Sequence, residues 1–80
     1  MAGKGVPLLK QGERFVRREV LSAMEVVARR NQGIIKVSEV QEVLRKRGWK
    51  ISYNTLSRIV KEEIKGTGWR LYSDVRRRRR

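Results

Sequence analysis

The chain has 80 residues, 39% of them apolar, and its 21 lysines and arginines outweigh 8 aspartates and glutamates for a formal net charge of +13. That is one small domain at most, with a single modest core and a charge that repels itself unless a polyanion neutralises it. Cysteine and histidine are absent, which excludes a disulfide framework and the usual thiolate or imidazole zinc site, and removes the commonest general base and the best thiol nucleophile.

Residues 1–12, MAGKGVPLLKQG, hold three glycines, the only proline and two lysines, and read as a flexible basic arm. Val6, Leu8 and Leu9 are the side chains able to dock it on the domain or on a partner. From Glu13 to Gln32 the apolar residues Val16, Val20, Ala23, Met24 and Val27 recur with helical period, with Phe15, Leu21 and Ala28 alongside. Glu13 near the start and Arg29 and Arg30 near the end suit the helix dipole, and Asn31-Gln32-Gly33 reads as the stop. The β-branched IIKV at 34–37 predicts a brief strand.

Ser38 opens a capping-box pattern with Gln41, so a second helix is expected from there, burying Val40, Val43 and Leu44 and closing on RKRG. Trp49-Lys50-Ile51 is a tight connection. Ser52 is the expected N-cap of a third helix, with Ile51 as its hydrophobic staple and Leu56, Ile59 and Val60 as its core stripe. After Ile64, KGTG reads as a glycine turn, and WRLY as a strand with Trp69 and Leu71 on one face. The expected organisation is an arm at 1–12, a domain at 13–73 and a disordered arginine-rich tail at 74–80. There are no internal repeats.

The order helix, strand, helix, tight turn, helix, glycine turn, strand, centred on VSEVQEVLRKRGWKISYNTLSRIVKEEIKGTGWRLY, resembles the winged helix-turn-helix family. ISYNTLSRIVKE is similar to the recognition helices of small repressor domains such as those of arginine repressors. The resemblance spans roughly residues 14–72 and implies an α+β, mainly α fold: a three-helix core with a short strand and a small glycine-turn wing. The wing departs from the family pattern, because Ile64 and Lys65 leave little room for a full strand before Gly66.

With Leu56, Ile59 and Val60 facing the core, Asn54, Ser57, Arg58 and Lys61 fall on the other side of the third helix, with Tyr53 at its N-terminal end. A solvated helix face is the plain alternative for such a stripe. Its lack of any carboxylate before Glu62 and Glu63 sets it apart from the first helix, where Glu19 and Glu25 interleave with arginines. In a helix-turn-helix this helix enters the major groove, where Asn pairs with adenine, Arg with guanine, and Ser and Lys hold phosphates. Arg45, Lys46, Arg47 and Lys50 form a phosphate-binding candidate, although dipole compensation explains one or two of them. Lys65, Thr67 and Arg70 flank the wing turn, for which a plain hairpin is the alternative. Trp49 reads as packing under the turn, with stacking on a base or sugar as the alternative, and Trp69 as a core residue covering the helices. Arg76, Arg77, Arg78, Arg79 and Arg80 cannot fold alone and suit salt-dependent phosphate contact without sequence specificity.

The expected function is therefore nucleic-acid binding, with duplex DNA the preferred partner, in a transcription regulator or a chromatin or replication accessory factor. A small archaeal-type ribosomal protein on structured RNA is the alternative, suggested by basic extensions at both ends. A protein-interaction module in a nucleoprotein assembly, using Tyr53 and Tyr72, is a third. Catalysis is not expected, since Glu39 with Glu42 and Glu62 with Glu63 are the available carboxylate pairs and both have basic neighbours. No cofactor, metal or membrane partner is expected. Nothing approaches the roughly 20 apolar residues of a membrane span, and no secretory signal is seen, so a cytoplasmic location is expected, on nucleoid or ribosome. A monomer, or a weak homodimer through the first helix, is expected. Few Asn and Gln and many Arg, Lys and Glu suit a thermophile.

Overall fold

The fold was analysed on a computed structural model that describes residues 5–78, with side chains described as far as Val75. Three helices carry the core. Helix α1 (Glu13–Arg30) buries Val16, Val20, Ala23, Met24, Val27 and Ala28; α2 (Val37–Lys46) buries Val37, Val40 and Leu44; α3 (Tyr53–Glu63) buries Leu56 and Val60. These stripes meet in one apolar cluster with Leu8, Ile35, Ile51 and Leu71, against which Val43, Trp49, Ile59, Ile64 and Trp69 are partly buried. The chain is thus mainly helical α+β, as the periodicity predicts.

The helix ends follow local rules with one exception. At the end of α1, the Asn31 N–H bonds the Val27 carbonyl and the Gly33 N–H bonds the Ala28 carbonyl, a Schellman-type closure. Gln32 and Gly33 both have positive φ, 54° and 89°. Ser52 caps α3, its Oγ accepting from the Thr55 N–H at 3.3 Å. Ser38, by contrast, does not cap α2. Val37 is buried, so the helix starts one residue earlier with Lys36 at the N-cap and no side-chain cap. Gln41, the expected capping-box partner, instead donates Nε2 to the Ile51 carbonyl at 3.0 Å and ties α2 to the start of α3.

Four two-residue strands make two separate parallel pairs. Strand β1 (Val6–Pro7) pairs with β3 (Trp49–Lys50), and β2 (Ile34–Ile35) pairs with β4 (Arg70–Leu71). The first pair corrects the reading of residues 1–12 as a flexible arm. From Val6 onward the segment is docked, because β1 leads into a 3-10 turn (Leu8–Gln11) whose Leu8 is fully buried. Val6 and Leu9 remain about half exposed.

The second pair replaces the expected wing. A further 3-10 turn (Ile64–Gly66) continues out of α3, which leaves no strand before the glycines to close a hairpin with Arg70–Leu71. The tail differs too. Helix α4 (Tyr72–Arg78) follows β4 directly, so residues 74–78 continue a helix, where a disordered tail is expected from like-charge repulsion. Residues 79–80 lie outside the described residues.

Candidate nucleic-acid interface

The outward side of α3 is built by its own period. Because Leu56 and Val60 point into the core, Asn54, Arg58 and Lys61 are exposed, and Ser57 is half-buried at the flank. Tyr53, at the capped end, is 50% exposed. Lys65, one turn beyond Lys61, lies in the 3-10 turn and extends the same stripe. Among the described residues, Arg58, Lys61 and Lys65 form no ion pair.

Arg17 reaches the neighbouring carboxylates from α1. Arg17 of α1 donates Nη1 to Glu63 Oε2, sets Nη2 3.6 Å from Glu62 Oε1, and keeps Nε 3.3 Å from Glu13 Oε2. The hydrogen bond to Glu63 raises the Arg17 guanidinium above its ordinary value, against a smaller opposing effect of desolvation, with the charges of Glu63 and Glu13 adding to the rise. Arg17, Arg58, Lys61 and Lys65 border one open groove of about 440 Å³ whose other walls are Thr55, Ile59 and Glu62.

A second groove, of about 230 Å³, joins the start of α3 to the start of α4. Tyr53, Lys36, Ser38, Tyr72 and Ser73 line it over Ile35, Val37 and Leu71. The Lys36 ammonium sits 4.6 Å from the Tyr72 ring centroid and 3.9 Å from Glu39 Oε2. The arginine-rich helix α4 therefore begins beside the N-terminal end of α3.

Other candidates are placed differently. Arg47 turns to α1, with Nη1 3.3 Å from Glu19 Oε1 and 3.2 Å from the Ser22 hydroxyl. Trp49 joins the same corner, donating Nε1 to Glu19 at 3.2 Å and meeting Phe15 edge to face at 5.4 Å. Glu19 and Arg17 are two residues apart on α1, roughly 200° around a helix. The corner held by Arg47 and the end of α3 held by Arg17 thus lie on opposite flanks of α1. Arg45, Lys46 and Lys50 are exposed near that corner and do not line the α3 groove.

The Thr67 hydroxyl is occupied within its turn, donating to the Ile64 carbonyl at 2.8 Å and accepting from the Trp69 N–H at 3.0 Å. Arg70 is exposed on β4. Arg76, Arg77 and Arg78 belong to α4 by backbone, their side chains lying outside the described residues, as Arg79 and Arg80 do entirely.

Arg17 and Lys36 are residues the sequence reading missed, and Tyr72, named there only for protein interaction, joins Lys36 at the second groove. Arg17 sits on the flank of an otherwise ordinary amphipathic helix, and its only signal is the unbalanced Glu62-Glu63 pair forty-odd positions away. Among the described residues no helix is long and apolar enough to cross a membrane. No family model, curated protein or solved structure matches the chain.

Proposed function

We propose that the protein binds nucleic acid, with α3 as the contacting helix and duplex DNA as the preferred partner. The observation that carries this reading is the exposed stripe Asn54, Arg58, Lys61 and Lys65, whose cations form no ion pair among the described residues while the adjacent Glu62 and Glu63 are drawn to Arg17. The net charge of +13 supplies the general attraction to phosphate.

In this reading the capped N-terminal part of α3 enters the major groove. Asn54 and Arg58 have the donor and acceptor geometry to read adenine and guanine, and Lys61 and Lys65 contact phosphates. Helix α4, starting beside Tyr53, carries the arginine run onto the neighbouring backbone. The protein acts as a regulator or architectural factor and not as an enzyme.

Structured RNA is the second reading, and the replacement of a wing hairpin by a parallel pair favours it, since one DNA-contacting element of the winged family is missing. The deciding experiment is a salt-titrated comparison of duplex DNA, single strands and structured RNA. The variants are Asn54→Ala/Arg58→Ala and a chain ending at Val75. On duplex DNA the double variant is expected to cost about 1–3 kcal/mol at a preferred site and to relax base preference there, as loss of base contacts does. Loss of binding on tail removal, with none from the double variant, refutes readout by α3. A large preference for RNA at matched salt replaces DNA with the ribosomal-type reading.

A further inference from the structure

Glu62 and Glu63 stand where they would spoil the basic stripe. Glu62 follows Arg58 by four residues and adjoins Lys61. A carboxylate at that spacing pairs with the arginine along the helix surface and repels an approaching phosphate. Neither glutamate pairs within α3. Both turn to Arg17, which also holds Glu13, so one guanidinium carries three carboxylates. The five N–H donors of arginine's planar fork suit this better than the compact ammonium of lysine. Arg17 and Glu62 both border the groove shared by Arg58 and Lys61.

We propose that Arg17 is a positioning residue for the α3 surface: by drawing Glu62 and Glu63 toward α1 and offsetting their charge, it keeps them from neutralising the Arg58 and Lys61 cations that meet nucleic acid. The proposal rests on the nucleic-acid reading above. Its physical content is that Arg17 strengthens binding through the two glutamates and not through a phosphate of its own. Losing Arg17 frees Glu62 to pair with Arg58, which removes one recognition cation, and leaves Glu63 facing solvent.

The test is a cycle of four proteins on one short DNA duplex and one structured RNA, titrated with salt. They are the wild type, Arg17→Gln, Glu62→Gln/Glu63→Gln, and all three changes together. Arg17→Gln is expected to weaken binding on the order of fivefold, the effect of two like charges about 8 Å from a phosphate at near-aqueous dielectric. It should also flatten the salt dependence, which a merely structural role would not move. Glu62→Gln/Glu63→Gln should bind within about twofold of wild type, and the triple variant should return to that level.

Equal losses from Arg17→Gln in both glutamate backgrounds mean that Arg17 meets phosphate directly, and overturn the proposal. Four equal affinities overturn it too, while leaving the nucleic-acid reading intact. A wild type that binds neither polymer refutes that reading and the proposal with it. If circular dichroism shows that Arg17→Gln does not fold, Arg17→Lys takes its place; it keeps a charge without the fork, and a partial loss that the glutamine pair restores is the supporting result.

Discussion

Leu8→Ala tests whether the N-terminal segment belongs to the folded unit. Leu8 is fully buried and lies in the same cluster as the α1, α2 and α3 stripes, whereas Leu9, its neighbour, is 52% exposed. Leucine-to-alanine changes at buried sites cost about 2–5 kcal/mol from lost transfer energy plus the cavity left behind. Leu8 enters from a short segment that can partly close over a void, which places the expected cost at about 2–4 kcal/mol. A domain of this size loses about 4–8 °C of melting temperature per kcal/mol, so the drop should be roughly 10–30 °C. Far-UV circular dichroism, by heat and by urea, measures both the midpoint and the slope of the transition. The urea midpoint should fall at unchanged slope, as for a pure stability change. Leu9→Ala is the control, expected within about 0.5 kcal/mol of wild type. Should the two variants melt within a couple of degrees of each other, Leu8 contributes nothing to the core, and β1 with its following turn is not part of the cooperative unit.

Ser52→Ala removes the one side-chain cap of α3 and should cost about 1 kcal/mol, with faster hydrogen exchange in the first turn of that helix; an unchanged melting temperature would refute the cap. Gly33→Ala should cost about 1 kcal/mol, for a reason of backbone and not of space. The added Cβ would meet only Trp69 Cδ1 at 3.8 Å, an ordinary contact, but Gly33 sits at φ 89°. Gly66→Ala, in open space without a positive φ, is its control, and equal melting temperatures for the two would count against the left-handed turn.

What could be read in the sequence was what is encoded locally. The stripes of α1 and α3 and the Ser52 cap each depend on residues within four positions of one another, and each is found where its pattern puts it. The errors lie where a distant contact competes with a local signal. Ser38 and Gln41 have the spacing of a capping box, but burial of Val37 starts the helix earlier and Gln41 bonds Ile51 instead. The glycines at 66 and 68 read as a hairpin turn. Yet the Thr67 hydroxyl closes a 3-10 turn onto Ile64, and β4 finds β2 from more than thirty residues away. Leu8 looked like one of three possible anchors in a floppy arm, and nothing local distinguishes it from Leu9. At the candidate site, the stripe Asn54, Arg58 and Lys61 followed from helical period alone. The role of Arg17 did not, because no short pattern joins it to Glu63.

The distribution of the acids bears on how a strongly basic chain can fold. Among the described residues, six of the eight carboxylates, Glu13, Glu19, Glu25, Glu39, Glu62 and Glu63, pair with four cations, Arg17, Arg29, Lys36 and Arg47. Arg17 and Arg47 make the ion pairs that join separate helices, each through α1. Exposed pairs of this kind add little stability individually. Their consequence is where they leave the surplus. With the carboxylates at the end of α3 drawn to one flank of α1 and Glu19 engaged on the other, Arg58 and Lys61 form no ion pair among the described residues. Helix α3 is itself charge-balanced, with Arg58 and Lys61 against Glu62 and Glu63, so what the pairing sets is where its charges are held and not how many it carries.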